Sequence, residues 1–278
     1  MTTPTPFGAR LRRAMDTRGP LCVGIDPHAA LLADWGLDDN VAGLERFTRT
    51  VVDALADRVA VLKPQSAFFE RFGSRGVAVL ESAVADARDA GALVLMDAKR
   101  GDIGSTMAAY AAAYLDPAGP LFSDAVTVSP YLGFGSLRPA LEAAERAGSG
   151  VFVLALTSNP EGAEVQRATT AGGGTVAQAV LDRIAEENAG ADPLGSVGAV
   201  VGATLGDTGA NLAVNGPLLA PGIGAQGATA ADLPKVFGDS ARNVVPSISR
   251  GVLRAGPSAA ALRDAAAAAA EELARALG

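Results

Sequence analysis

Short apolar runs recur along the chain, each followed by a polar or glycine-containing break and then by residues with helical spacing. The runs are Leu21–Asp26, Val59–Gln65, Leu93–Asp97, Ala125–Pro130, Val151–Ser158, Val197–Thr204, Leu218–Gly224 and Asn243–Ser249. They are apolar at consecutive positions rather than at alternate ones, which predicts strands buried on both faces, as in a parallel sheet. Between them, helical spacing predicts helices over 41–57, 75–90, 105–115, 136–147 and 175–188. Shorter helices are expected near 207–215 and 231–237, and an alanine-rich helix at the end of the chain. Residues 7–17 predict a helix that caps the bottom of the fold. Gly91 and the Asp116-Pro117 pair punctuate the ends of two helices.

Regular alternation of strand and helix implies parallel strands. Eight such units predict an α/β fold, a closed (β/α)8 TIM barrel, as a single domain over residues 1–278. The chain has 278 residues, near the roughly 250 typical of one such barrel. An open doubly wound sheet is the alternative, but no Gly-x-Gly-x-x-Gly follows the first strand to support dinucleotide binding. The segment 159–174, with its run of glycines, reads as a lid or binding loop.

The polar residues that end these runs carry the candidate chemistry. Asp26 ends the first strand, Lys63 the second and Ser158 the fifth; Asp97, Lys99 and Asp102 cluster at the end of the third. Barrel active sites lie at this carboxyl-terminal face. Strand alternation sends Asp97 and Lys99 to one side, and Gly101 turns the chain so that Asp102 follows on a loop. Two carboxylates are therefore expected to bracket the Lys99 ammonium. A carboxylate about 4 Å away contributes roughly 4 kcal/mol at an effective dielectric near 20, so the pattern predicts a lysine held protonated and able to donate a proton. A buried ion pair that merely holds the strand end is the alternative. The loops after strands seven and eight, which often build a phosphate site in barrels, read Pro221–Gly227 and Ser249-Arg250-Gly251. Gly224 and Gly251 allow close backbone approach to an anion, Arg250 offers a forked cation and Gln226 an amide donor.

Composition narrows the classes. A net charge of −7 argues against general nucleic-acid or anionic-membrane binding. The single cysteine, Cys22, leaves no disulfide framework or cysteine-based zinc site, and it reads as a small core residue. The start of the chain has no apolar segment of the signal-peptide kind, and no stretch is long enough to span a bilayer. A soluble cytoplasmic protein is expected. The only histidine, His28, reads as a loop residue near the mouth, Trp35 and the Phe68-Phe69 pair as packing, and Arg100 as solvated or supporting.

The segment Asp97-x-Lys99-x-x-Asp102-Ile103-Gly104-Ser105-Thr106 resembles the catalytic segment of orotidine 5′-monophosphate decarboxylases. The forms Leu62-Lys63-Pro64-Gln65 and Leu156-Thr157-Ser158-Asn159-Pro160 resemble the longer bacterial branch of that family, including its actinobacterial members. The resemblance implies decarboxylation of orotidine 5′-monophosphate to uridine 5′-monophosphate without cofactor or metal. It implies Lys99 as proton donor within a charged network of Asp97, Asp102 and Lys63. It further implies Asp26 at the ribose, Ser158 at the pyrimidine, and Gln226 and Arg250 at the phosphate. It also implies a homodimer in which Asp102 and Thr106 reach the partner's site. Two rivals stay open: a sugar-phosphate enzyme that uses the same Asp-x-Lys-x-x-Asp with magnesium, and a catalytically silent barrel that binds a nucleotide phosphate.

Overall fold

The computed structural model describes residues 4–224 and 227–278. Eight parallel strands close into a barrel in sequence order: β1 (Cys22–Ile25), β2 (Val61–Pro64), β3 (Leu93–Arg100), β4 (Ala125–Val128), β5 (Gly150–Leu156), β6 (Val197–Val201), β7 (Leu218–Pro221) and β8 (Val244–Ile248). Closure is made where β1 meets β8, with Cys22 opposite Ser247 and Val23 opposite Ile248. The open-sheet alternative is thereby excluded.

Strand alternation divides the apolar residues into two cores. One parity faces outward beneath the helices and includes Val23, Leu62, Val94, Met96, Val126, Val151 and Val153. The other fills the barrel interior with Cys22, Val61, Leu93, Leu95, Ala125, Phe152, Val200, Leu219 and Val245. The helix Phe7–Arg18 plugs the amino-terminal end of this interior. Its Phe7 meets Phe152 edge-on, with ring centroids 6.0 Å apart, and Phe7, Leu11 and Met15 join the interior core. Arg10 pins the plug to the buried Asp124 at 2.5 Å. Gly150 is required there: a Cβ would lie 2.3 Å from the Phe7 ring.

The helices begin where the sequence supplies caps. Asn40 accepts the Gly43 N–H (2.9 Å) to open Val41–Leu55, and Thr175 accepts the Gln178 N–H (3.1 Å) to open Val176–Glu187; each such cap contributes about 1 kcal/mol. Trp35 and Phe69 are buried packing residues, as expected, and the Trp35 indole N–H donates to the Leu253 carbonyl at 2.9 Å.

Two sequence expectations are corrected. The segment 207–215 forms no helix. Asp207 and Asn211 side chains accept backbone N–H groups of Gly209 (2.9 Å) and Ala213 (3.0 Å), and such local bonds compete with a helical ladder. Gly206 and Gly209, both at φ +64°, turn the chain out of helical geometry. The segment 159–174 is not one open loop. It holds the short helices Pro160–Gly162 and Ala163–Gln166, and Gln166 clasps Thr157 through a 2.7 Å side-chain bond and a 2.9 Å bond from the Thr157 N–H.

Candidate active site

The barrel interior changes character one layer above its apolar core. Continuing the inward parity leads from Cys22 to Asp26, from Val61 to Lys63, from Leu95 to Asp97 and from Ala125 to Thr127. These side chains line a cavity of about 460 Å³ at the carboxyl-terminal mouth, together with Gln65, Lys99, Ser158 and Arg250. The size falls within the roughly 300–1,000 Å³ range of small-molecule sites.

At its centre Asp97 lies between two ammonium groups. Lys63 Nζ is 2.8 Å from one carboxylate oxygen and Lys99 Nζ 2.5 Å from the other. The Thr127 hydroxyl donates to the same oxygen as Lys99, at 2.9 Å. This inverts the expected arrangement: one carboxylate is bracketed by two lysines, rather than one lysine by two carboxylates. Asp102 stands apart, its Oδ1 accepting the N–H of Ile103 at 2.8 Å. The chain leaves β3 through Gly101 before it reaches Asp102, so nearness in sequence does not bring the second carboxylate back.

Burial would raise the Asp97 carboxyl, but Lys63 and then Lys99 outweigh it and hold it well below the usual carboxylate range. Burial would lower the Lys63 ammonium, but Asp97, and next Asp26, outweigh that and hold it above the usual lysine range. The two lysines differ in access. The Lys63 side chain is 7 % exposed and that of Lys99 43 %, so Lys99 is the more accessible of the two to a molecule in the cavity.

Lys99 is also set apart by its backbone. Met96 pairs with Val126 and Arg100 with Val128, so Asp97, Ala98 and Lys99 together oppose Thr127 alone. Within this bulge Lys99 takes φ +48°, in the left-handed region, a conformation that costs a side-chain-bearing residue about 1–3 kcal/mol and tends to occur at functional sites. Its Nζ also lies 3.4 Å from Gln65 Oε1.

The other expected residues divide. Asp26 and Ser158 line the cavity, although β5 ends at Leu156 and Ser158 lies just beyond it. Asp26 Oδ1 and Ser249 Oγ are buried without a hydrogen-bond partner among the described residues. Arg250 opens the short helix Arg250–Leu253, lines the cavity, and has no ion-pair partner among the described residues. Gly224 does not serve as a free donor, because its N–H already bonds the Ala228 carbonyl at 2.7 Å; Gly222 and Ile223 line the cavity instead. Gly251 is exposed in the first turn of the Arg250 helix and is not on the cavity wall. Thr106 is exposed on the helix Gly104–Leu115, outside the cavity. Gln226 lies outside the described residues.

Sequence reasoning passed over Thr127, Gln65 and Ser249. A signal for Thr127 existed: it is the one polar position in Ala125-Val126-Thr127-Val128. His28 lines the mouth edge-on to Phe68, with centroids 4.3 Å apart, and Arg100 pairs with Glu70. Among the described residues no group of three His, Cys, Asp or Glu is arranged to hold a metal ion, and no helix is long and apolar enough to cross a membrane.

Comparison with known proteins gives the family. Residues 19–265 match the orotidine 5′-phosphate decarboxylase / HUMPS family. A Streptomyces coelicolor protein named orotidine 5′-phosphate decarboxylase is 73 % identical over 262 residues, 94 % of each chain. A Salinispora arenicola protein of the same name is 72 % identical over 261 residues, again 94 % of each. The crystal structure of a Streptomyces avermitilis protein described as an orotidine 5′-phosphate decarboxylase matches with a TM-score of 0.98 at 71 % identity, covering 99 % of this chain and 97 % of that one. With its closed barrel and actinobacterial relatives named for a carboxy-lyase, the chain belongs to the orotidine 5′-phosphate decarboxylase / HUMPS family.

Proposed function

We propose that the chain decarboxylates orotidine 5′-monophosphate to uridine 5′-monophosphate without a cofactor, in the last step of de novo pyrimidine synthesis in the cytoplasm, and that Lys99 is the proton donor. The observation that carries this reading is the Lys63–Asp97–Lys99 array, which lines the barrel mouth with Lys99 its most exposed member.

The chemistry needs little else. The bond between C6 of the pyrimidine and its carboxylate breaks, carbon dioxide leaves, and the electron pair stays on C6. An ammonium aimed at C6 stabilises that charge as it develops and then transfers its proton there, which combines electrostatic preorganisation with general acid catalysis. Asp97 holds the Lys99 ammonium at 2.5 Å on its buried side; solvent reprotonates the amine after each turnover. Asp97 beside the substrate carboxylate adds like-charge crowding that is relieved as carbon dioxide leaves.

The remaining roles follow the shape of the cavity. The orphaned Asp26 Oδ1 suits a ribose hydroxyl as donor. Arg250, unpaired among the described residues, suits the phosphate, a role the sequence reading also gives to Gln226, and Ser158 suits the pyrimidine. Phosphate contacts lie far from C6, and their binding energy offsets the cost of burying substrate charge against Asp97. A magnesium-dependent reading is disfavoured by the same array, since two ammonium groups already neutralise Asp97 and repel a further cation.

A homodimer completes the proposal. Asp102 and Thr106 do not reach the cavity of their own chain, Ile103 between them is 62 % exposed, and Tyr131 and Leu132 are exposed on the loop after β4, whose Ser129 abuts Gly101. This patch suits a second copy of the chain, whose site would receive Asp102 and Thr106. Mixing inactive Lys99→Ala and Asp102→Ala proteins should then restore about a quarter of wild-type activity through mixed dimers carrying one intact site; no restoration would remove Asp102 from the partner's site. The function itself is tested by following the loss of orotidine 5′-monophosphate absorbance with purified protein in EDTA. Turnover supports the reading, activity that appears only with added magnesium supports the sugar-phosphate rival, and binding of uridine 5′-monophosphate without turnover supports the silent barrel.

A further inference from the structure

The bulge that re-aims Lys99 leaves a gap in the ladder between β3 and β4. Between the pairs Met96–Val126 and Arg100–Val128, β3 has three residues and β4 one. The Lys99 N–H therefore has no strand carbonyl opposite it. The Thr127 hydroxyl fills that place, accepting the Lys99 N–H at 3.0 Å. The same oxygen donates its proton to Asp97 Oδ1 at 2.9 Å, the oxygen that also receives Lys99 Nζ at 2.5 Å. Thr127 is 1 % exposed, so water does not compete for either bond.

We propose that Thr127 is a positioning residue for Lys99: its one hydroxyl fixes both the left-handed backbone of Lys99 and the carboxylate that the Lys99 ammonium leans on. The inference rests on the proposed function and goes beyond it. The hydroxyl supplies one acceptor and one donor, and each is used once, so its orientation is set by the network. It ties the Lys99 backbone directly, and the Lys99 ammonium through Asp97 Oδ1, to one buried hydroxyl. Valine is nearly isosteric and keeps the packing, but it offers neither bond. Serine keeps the hydroxyl and lacks only the methyl group.

Thr127→Val should lower kcat by roughly 10- to 100-fold, the scale of a lost hydrogen bond to a charged group, while KM for orotidine 5′-monophosphate stays within about threefold. Thr127→Ser should recover most of the lost rate. A merely structural role would lower the amount of folded protein without splitting kcat from KM, so active-site titration with a tight-binding nucleotide analogue corrects for folded fraction. If Thr127→Val is insoluble, Thr127→Ala takes its place, with rescue by Thr127→Ser read in the same way. A hydroxyl-free variant with kcat within threefold of wild type, or a serine variant as slow as valine, overturns the positioning role. The wild type in the same assay separates the two claims: an inactive wild type overturns the proposed function and this role with it, whereas an active wild type beside an equally active valine variant overturns this role alone.

Discussion

Replacing Asp97 by asparagine removes one charge and nearly no volume, so the variant isolates what the charge does. In the wild type both cationic neighbours lie within 2.8 Å of the carboxylate. Lys63 is 6 % exposed; without Asp97 the strongest remaining acidic influence on it is Asp26. Removing one member of a buried pair costs about 3–5 kcal/mol, because the other charge remains buried and uncompensated. Set against a total stability of about 5–15 kcal/mol, this is a large fraction. Lys63→Met with Asp97→Asn replaces the pair rather than breaking it, so the double variant should lose less than the sum of the single variants, with a coupling of about 0.5–3 kcal/mol. Urea unfolding at fixed protein concentration, read by circular dichroism and by the fluorescence of the single tryptophan, measures all three. The pH dependence follows from the directions of the two shifts. Asp97 titrates below its ordinary 3.8 in the folded chain, so its contribution is complete above pH 3.8 and is lost only as pH falls through the lower folded value. Lys63 titrates above its ordinary 10.5, so its contribution is complete below pH 10.5 and is lost as pH rises beyond. The deficit of Asp97→Asn should therefore be flat between about pH 5 and 9. A variant within about 1 kcal/mol of wild type, or strictly additive single losses, would refute this account of the array.

Two further outcomes are expected. Burial pushes the Cys22 thiol up to about 12 from its ordinary 9.0. An unfolded chain therefore ionises first, and stability should fall as pH rises from 9 toward 12; Cys22→Ala should flatten that slope, and a thiol reagent at pH 8 should label Cys22 only as fast as the chain opens, with rapid labelling of folded protein counting against its burial. Arg250→Ala should weaken uridine 5′-monophosphate binding by roughly 10- to 100-fold, as expected for lost charge-assisted bonds, and calorimetry showing unchanged affinity would take Arg250 out of the phosphate site.

Much of the barrel is legible in the chain because its strands are buried on both faces and read as continuous apolar runs, whereas the helices between them carry the polar residues. Asp26, Lys63, Asp97 and Lys99 could be found because each places a charge at the end of such a run. The failures have local causes. The segment 207–215 looks helical by spacing, yet its Asp207 and Asn211 satisfy backbone groups in turns, which spacing does not record. Asp97 meets Lys99 as the spacing predicts, but the Asp102 contact fails and the Lys63 contact is not foreseen, because sequence separation says nothing of a bulge: the left-handed turn at Lys99 and the exit through Gly101 decide which carboxylate the ammonium meets. Thr127 was passed over because its importance arises only from the vacancy that the bulge opens beside it. The glycine-rich turn suggests an anion donor at Gly224, but its N–H is taken by the Ala228 carbonyl within the same turn.

The central claim concerns one ammonium group, and a single pair of rates tests it most directly. Decarboxylation by Lys99→Ala and by wild type is measured at saturating orotidine 5′-monophosphate, with circular dichroism to establish that both are folded. If Lys99 delivers the proton to C6, the folded alanine variant should lose activity by several orders of magnitude, since positioned proton transfer alone contributes about 10²–10⁴-fold and charge stabilisation adds to it. A folded variant that keeps more than about a tenth of the wild-type rate would contradict the assignment, because that margin leaves no room for the least contribution a positioned acid makes.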